Sequence, residues 1–338
     1  MPPEIRLLGI GSALPAEEVS NERLGALLGS SADAIADRTG IETRRWASSG
    51  ESPSSLAARA AEQALSASAT AIDRVGLIIF ATATPDVCFP GAACFLQEKL
   101  GAPTVGALDV RAQTAGFICA LDLATAFATL SAPNGAIDDR YERVLVAAGE
   151  VHSSGLDESP RGQDMTPRFG DGAGVAIVGR GDVGPRLVSV RWYTEGDLAD
   201  RFWCEYPASR QAPMRVTAAD LAAGKHFPRA DLAGIAPIVR DRLQAIVREV
   251  IGVAGWEPNQ IDRLIIDYID PAVARGAAAG LGIDPARVDV PTARLGHVMA
   301  GGLAIALAEV LPRLGRGTRV LLAGAGSGLT YGAAALEV

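Results

Sequence analysis

The chain contains the same succession of segments twice, and this duplication limits the folds open to it. Asp109 to Ala126 (DVRAQTAGFICALDLATA) and Asp289 to Ala306 (DVPTARLGHVMAGGLAIA) share an Asp-Val opening, a turn of small residues containing Gly, and a long Ala-rich apolar helix. The strands before them, IDRVGLIIFAT and IDRLIIDYID, also match, as do the later strands RVLVAAGEVH and RVLLAGAGSG. Three matched segments in one order predict two similar βαβαβ-type halves of an α/β protein.

The two halves are expected to span residues 1–179 and 180–338. A first strand is predicted around GIGSALP, and the continuous apolar strand runs are typical of strands buried on both faces. Apolar residues at helical spacing predict helices over Asn21 to Arg38, Ser54 to Ser68, Pro90 to Leu100, Ile238 to Ile251 and Ala272 to Leu281.

The turn before each duplicated helix is a favourable place for chemistry. Unpaired backbone N–H groups and the positive end of the helix dipole meet there, which suits a nucleophile or an oxyanion. The first turn offers Thr114 and the second offers His297. We expect these two residues to face each other.

Composition excludes several classes of function. A net charge of -8 and a pI near 5.1 disfavour a nucleic-acid partner, because binding phosphates needs a basic field. No apolar run is long enough for a membrane span and no signal-peptide pattern is present, so we expect a cytoplasmic protein. The 4 cysteines have no metal-ligand or redox spacing, and we expect no bound metal.

The chain resembles the ketosynthase III-type condensing enzymes over essentially its full length. The motifs that carry the resemblance are GIGSALP, RTGIETRRW, FPGAACFLQEKLG, DVRAQTAGF, RFGDGAGVAIV and GLTYGAAAL. The resemblance implies the thiolase-like fold, in which the two halves form a five-layered α-β-α-β-α core. It also implies a homodimer and a pantetheine thioester as substrate, with no cofactor.

Members of that family have a Cys-His-Asn triad, and this chain differs at all three positions. The matching residues are Thr114, Asp267 and His297. Since the thiol and the amide are missing, ordinary decarboxylative condensation is disfavoured. Asp and His at these positions resemble a subgroup from natural-product pathways, such as polyketide biosynthesis. Enzymes of that subgroup transfer an acyl group from a thioester to a hydroxyl or an amine.

The catalytic roles follow from this arrangement. If the repeats pack as in the family, Asp267 would orient His297 and stabilise its charged form, making it a general base. Thr114 could be a nucleophile that His297 activates, or it could only line the site while His297 deprotonates the acceptor. A third interpretation is an inert site, in a degenerate partner subunit or after replacement of a cysteine. His152 and His226 have no carboxylate that we can place beside them, so we assign them no role.

An oxyanion hole is expected from two backbone N–H groups. The resemblance places them at Thr114 and at Ser327 in the loop GAGSGLTYG. Glycines around Ser327 permit a tight backbone there.

The acyl donor is expected to be coenzyme A or an acyl carrier protein, and the sequence does not choose between them. Arg38 matches a family arginine near the phosphate end of the carrier, but Ala34 stands where an aromatic residue usually stacks on adenine. Phe227 could line the pantetheine tunnel or belong to the core. An acidic carrier protein would have to meet arginines such as Arg44 and Arg45.

Overall fold

The computed structural model describes residues 4–131, 135–210 and 214–338. The helices are α1 Asn21–Leu28, α2 Ala32–Thr39, α3 Pro53–Ala67, α4 Ala92–Lys99, α5 Gly116–Ala128, α6 Ala218–Ala222, α7 Leu232–Ala254, α8 Pro271–Ala279, α9 Thr292–Leu295 and α10 Ala300–Val310. The strands are β1 Ile5–Ala13, β2 Glu17–Ser20, β3 Thr43–Trp46, β4 Leu77–Ala81, β5 Gly106–Val110, β6 Arg143–Glu150, β7 Gly172–Arg180, β8 Arg186–Thr194, β9 Phe202–Trp203, β10 Arg229–Ala230, β11 Arg263–Asp267, β12 Val288–Asp289, β13 Arg319–Gly326 and β14 Thr330–Glu337.

The main sheet has two halves with the same internal strand order. Its 10 strands run β12-β11-β13-β14-β8-β1-β7-β6-β4-β5. In each half, the first strand (β1 or β8) lies at the centre of the sheet. Three parallel strands, β4 to β6 in the first half and β11 to β13 in the second, lie toward the sheet edge. Among the described residues, a single ladder pair, Arg6 with Arg186, joins β1 to β8 across the middle. The predicted duplication is confirmed, and the expected boundary at 179/180 falls at the end of β7.

The helices form three layers that alternate with the two half-sheets. Helices α3 and α4 cover the outer face of the first half-sheet, and α7 and α8 cover the outer face of the second. Helices α5 and α10 lie between the half-sheets, where residues from both halves form one apolar cluster. This is the α-β-α-β-α arrangement expected from the resemblance.

The helix predicted over Asn21 to Arg38 is interrupted. Gly29 adopts a left-handed φ of 69° and its N–H donates to Gly25 O, which ends α1. The side chain of Ser31 then caps the start of α2. Leu27, which the pattern predicts on the buried stripe, is 40% exposed, because the buried face of α1 consists of Asn21, Leu24, Gly25 and Leu28.

Small residues let the two central helices approach closely. A Cβ atom on Gly116 would lie 3.1 Å from the Cβ atoms of both Ala300 and Ala81. The turns that precede α5 and α10 are therefore held side by side in the centre of the molecule. No helix in the described parts of the chain is long and apolar enough to cross a bilayer.

Candidate active site

Thr114 and His297 meet at the junction of the two halves. Thr114 lies in the 3₁₀ turn Gln113–Ala115, which leaves β5 and continues directly into α5. Its Oγ1 is 3.3 Å from Nε2 of His297, and both residues are fully buried. The prediction that the two turns bring these residues face to face is confirmed.

The first half of the chain holds the backbone of His297 in place. The N–H of His297 donates to Arg168 O at 2.7 Å, and the N–H of Gly170 donates to His297 O at 3.3 Å. The preceding residue, Gly296, has a φ of 68°, and a Cβ there would come within 2.9 Å of the Gly170 backbone nitrogen and of the Arg44 Cβ. The segments RFGDGAG and LGH thus pack closely against each other, and glycine is needed at the contact.

Asp267 ends β11 but does not pair with His297. The hydroxyl of Thr292 donates to Asp267 Oδ1, and Oδ2 lies against α10, where a Cβ on Gly302 would be only 2.3 Å away. Among the described residues, neither Asp267 Oδ2 nor His297 Nδ1 has a hydrogen-bond partner. The predicted direct pair is therefore wrong. In the second repeat the short helix α9 precedes the turn, and the hydroxyl of its first residue, Thr292, hydrogen-bonds the carboxylate instead.

Burial controls the charge of these groups. It lowers the pKa of His297 well below 6.5, and the nearby His152 and Arg168 lower it further. Burial raises the pKa of Asp267 to about 7, although the hydrogen bond from Thr292 opposes this shift. Near neutral pH His297 is therefore an uncharged imidazole that can accept a proton, and no carboxylate hydrogen-bonds to it.

The loop after β13 closes the other side of Thr114. A Cβ on Gly326 would lie 2.7 Å from Thr114 Oγ1 and 2.9 Å from Thr114 N, so only glycine fits at this position without displacing Thr114. The side-chain hydroxyl of the next residue, Ser327, donates to Phe202 O and fixes the loop. That the backbone N–H groups of Thr114 and Ser327 form the oxyanion hole remains a prediction.

A cavity of about 570 Å³ lies beside the Thr114–His297 contact, and we call it the inner cavity. Its wall includes Gln113, His152, Phe169, Met299 and Ser327. The wall thus contains residues that are close in sequence to Thr114 and His297, whereas Thr114 and His297 themselves are fully buried.

A second cavity of about 550 Å³, the outer cavity, contains both predicted donor-binding residues. Arg38 and Phe227 line it, and it shares Leu156 and Pro228 with the inner cavity. Arg38 donates to Gln163 O at 2.9 Å. The two cavities therefore adjoin, and arginines line the outer one.

The two arginines expected to meet a carrier protein differ in exposure. Arg44 is fully buried and donates to Asn21 Oδ1 at 2.7 Å and to Pro167 O at 2.9 Å. Arg45 forms an ion pair with Glu18 at 2.9 Å and is partly exposed. The expectation for Arg44 is wrong, because its guanidinium ties β3 to the loop that holds His297.

Comparison with known proteins places the chain in a family. The profile described as 3-oxoacyl-[acyl-carrier-protein (ACP)] synthase III matches residues 108–196, and the profile of its C-terminal part matches residues 251–338. The β-ketoacyl-[acyl-carrier-protein] synthase III of Syntrophomonas wolfei is 30% identical over 331 residues, which cover 97% of this chain and 96% of that protein. The chain belongs to the 3-oxoacyl-ACP synthase III family.

Solved structures of 3-oxoacyl-ACP synthase III proteins have the same fold. The enzyme from Aquifex aeolicus superimposes with a TM-score of 0.85 at 29% identity, covering 99% of this chain and 100% of that chain. The priming β-ketosynthase from the R1128 polyketide biosynthetic pathway gives 0.86 at 25% identity, covering 100% and 98%. The names of these relatives fit the condensing activity that the sequence disfavours. None of the names mentions transfer of an acyl group to a hydroxyl or an amine.

No role was assigned to His152 from the sequence. This residue lines the inner cavity, and its ring centroid lies 4.7 Å from that of Phe169. It follows β6, and by the internal repeat this loop corresponds to the Gly-rich loop after β13 that contains Ser327. That correspondence was the available signal, but we assigned roles only to histidines with a carboxylate beside them.

Proposed function

We propose that this member of the 3-oxoacyl-ACP synthase III family is an acyltransferase. It would move an acyl group from a coenzyme A or acyl-carrier-protein thioester to a hydroxyl or amine of a natural-product acceptor. The observation that carries the proposal is the buried contact of 3.3 Å between Thr114 Oγ1 and His297 Nε2. Family membership supports the thioester donor, and the absence of a thiol at this position favours an oxygen nucleophile.

In the covalent route Thr114 carries the acyl group. Its hydroxyl proton passes to His297 Nε2 as Oγ1 attacks the thioester carbonyl, and the C–S bond then breaks while His297 returns the proton to the leaving thiolate. In the second half-reaction His297 takes the proton of the acceptor as it attacks the ester, and His297 then returns the proton to Thr114 Oγ1 as the bond between this oxygen and the acyl group breaks. The uncharged state of His297 supports both proton transfers, because the imidazole must be free to accept.

A direct route uses the same base without an acyl-enzyme. His297 would deprotonate an acceptor that attacks the thioester itself, and Thr114 would only hold the imidazole in position. Thr114 is placed for this supporting role, since its methyl group lies against Gly324 and its hydroxyl lies next to Gly326 and His297 Nε2. The two routes differ in one intermediate, the ester on Thr114.

The adjoining cavities support a thioester donor entering from the surface. Arginines at the outer cavity, among them Arg38, Arg161 and Arg229, can meet the phosphates of coenzyme A or of a carrier-protein pantetheine arm. Arg161 also lies over the ring of Phe227, with its guanidinium carbon 5.4 Å from the ring centroid. The proposed chemistry needs no metal and no prosthetic group.

Decarboxylative condensation is the second candidate, because the relatives are named for it. At the three positions where the family resemblance implies Cys, His and Asn, this chain has Thr114, Asp267 and His297. A third possibility is an inactive subunit of a ketosynthase pair. The two enzymatic functions give different products from the same donor, so a single assay separates them.

That assay incubates the full chain with hexanoyl-CoA and either malonyl-ACP or a panel of hydroxyl and amine acceptors. Acyl transfer predicts hexanoyl esters or amides and no carbon dioxide. A 3-oxoacyl-ACP with release of carbon dioxide would instead establish condensation. Failure of both reactions, together with a stable complex with a ketosynthase on co-purification, would support the inactive-subunit function.

We also propose a homodimer. Strand β5 is one of the two edges of the main sheet, and its residues are partly or fully exposed. Phe89, shortly before α4, is 77% exposed, and Val87 beside it is 46% exposed. An apolar surface next to an unpaired edge favours pairing with a second copy, which the mass of the particle in solution would measure.

A further inference from the structure

Several residues that line the inner cavity have buried polar atoms without hydrogen-bond partners, which an alkyl chain could not satisfy. Among the described residues, three of its wall side chains have a buried atom without a hydrogen-bond partner: Asp86 Oδ2, His152 Nε2 and His226 Nδ1. Leaving a buried polar atom unpaired is unfavourable, so three in one cavity indicate a ligand that supplies the missing hydrogen bonds.

His152 is the best defined of the three. It is 7% exposed, its backbone N–H donates to Asp171 Oδ1 at 2.7 Å, and its ring packs against Phe169. Asp171 also accepts hydrogen bonds from the Ser153 and Ala47 backbones, so the loop that carries His152 is firmly anchored. The backbone that carries the imidazole is therefore fixed at the cavity wall.

The chemistry of the unpaired atoms indicates what the ligand offers. The other oxygen of Asp86 accepts the hydroxyl of Ser54 at 2.5 Å, which leaves Oδ2 as a free acceptor. Burial lowers the pKa of His152 to about 3, so its imidazole is uncharged, and Nε2 accepts in the tautomer that carries the proton on Nδ1. Groups that accept hydrogen bonds select a ligand with N–H or O–H donors.

We propose that His152 binds the acceptor substrate, with its Nε2 accepting a hydrogen bond from a hydroxyl or amine while Asp86 and His226 bind further polar groups of the same molecule. This inference rests on the proposed acyl transfer and identifies the acceptor as a polar, donor-bearing compound held in the inner cavity. Phe169 contacts the rings of both histidines, with centroid separations of 4.7 Å to His152 and 6.1 Å to His297. An acceptor bound at His152 is therefore close to the proposed base.

The chain has only 3 histidines, which makes a direct test possible. Protein labelled with ¹⁵N in the histidine rings gives separate signals for His152, His226 and His297, and the His152→Phe variant assigns those of His152. The probes are 1-hexanol, hexylamine and 1-chlorohexane, which share a chain length but differ in hydrogen-bond donors. His152→Gln is the matched control, because its amide oxygen can still accept.

Binding of 1-hexanol or hexylamine is expected to shift the His152 Nε2 signal, and 1-chlorohexane is expected to leave it in place. His152→Phe should weaken binding of the donor-bearing probe about three- to tenfold, the range of one neutral hydrogen bond, without weakening 1-chlorohexane. His152→Gln should recover part of this loss. Whether the alcohol or the amine gives the larger effect identifies the acceptor group.

Equal affinity for all three probes, unchanged by His152→Phe, would overturn the inference. A urea unfolding transition like that of the wild type shows that the variant has folded. Because binding is measured without turnover, failure of the binding site and failure of acyl transfer can be told apart. His152-dependent binding without any acyl transfer would leave the binding site standing and remove the transferase function.

Discussion

Thr114 Oγ1 and His297 Nε2, which lie 3.3 Å apart, come from equivalent turns of the two repeats. Each turn leads into one of the two central helices, α5 and α10, so the duplication itself builds the site. Neither half contains both groups. The reacting pair therefore depends on the packing of the two halves, through the close contact of Gly116 with Ala300 and through the loop that holds the His297 backbone.

The covalent route predicts an ester on Thr114. Incubation with hexanoyl-CoA should add one hexanoyl mass per chain in the wild type and in Thr114→Ser, because both carry a hydroxyl next to His297. Thr114→Val has nearly the same shape without the hydroxyl and should show no adduct. Intact-protein mass spectrometry after rapid acid quenching checks this. An adduct that persists in Thr114→Val would place the acyl group elsewhere.

Much of the fold was predictable because it depends on local patterns that occur twice. The apolar strands, the central helices and their turns were all found from sequence, and so was the approach of Thr114 to His297. Each prediction needed only periodicity and the matched order of the repeats. The break at Gly29 was missed because the apolar spacing of Leu24, Leu28 and Ile35 continues across it.

The parts of the site that could not be predicted depend on contacts between distant segments. Asp267 was expected beside His297, but Thr292, 25 residues later, takes its carboxylate. Arg44 looked like a surface residue in RTGIETRRW and is instead buried against Asn21 and Pro167. His152 was passed over because nothing nearby in the sequence shows that its loop faces a cavity.

Gly326→Ala should damage the site while sparing the fold. The new Cβ would lie 2.7 Å from Thr114 Oγ1 and must push the hydroxyl away from His297. We expect activity to fall by about a hundredfold, the effect of displacing a reacting group by roughly 1 Å, and stability to fall by about 1–3 kcal/mol from overpacking. Turnover of hexanoyl-CoA and urea unfolding measure the two effects.

The matched control is Gly252→Ala, in α7, where a Cβ meets nothing within 4 Å. Its activity should equal that of the wild type, and alanine should stabilise the helix by about 0.5–1 kcal/mol. Wild-type activity in Gly326→Ala would mean that Thr114 does not need its observed position.

Asp267→Asn should stabilise the protein increasingly as pH rises. Burial raises the folded-state pKa of Asp267 to about 7, above its ordinary value of 3.8. The folded protein therefore keeps this proton while the unfolded chain loses it, and wild-type stability falls between these two pH values. The advantage of the variant should grow by about 1 kcal/mol per pH unit from pH 4 to 7 and stay constant above 7.

Urea unfolding of the wild type and Asp267→Asn at pH 4.5, 5.5, 6.5 and 8 measures this difference. Asp284→Asn is a suitable control, since Asp284 is exposed and caps a surface turn through Ala286 N. A stability difference for Asp267→Asn that does not change with pH would mean that the carboxylate is charged throughout the range.

The rate of acyl transfer should not fall between pH 8 and pH 6. An ordinary histidine base with a pKa near 6.5 would lose more than half of its uncharged form over this interval. Burial and the nearby His152 and Arg168 hold the pKa of His297 well below 6.5, so the base stays uncharged. A profile of kcat/KM against pH tests this, and a decline with a midpoint near 6.5 would contradict a buried His297 base.

The most direct test of the proposed function is the rate at which the full chain transfers the hexanoyl group of hexanoyl-CoA to hydroxylamine, a small nucleophile that needs no specific acceptor pocket. The covalent and direct routes both require His297. We therefore predict that His297→Phe lowers the hexanoyl hydroxamate rate above background by about a hundredfold or more, while the Gly252→Ala control keeps wild-type activity. Equal rates for His297→Phe and the wild type would contradict His297 as the general base.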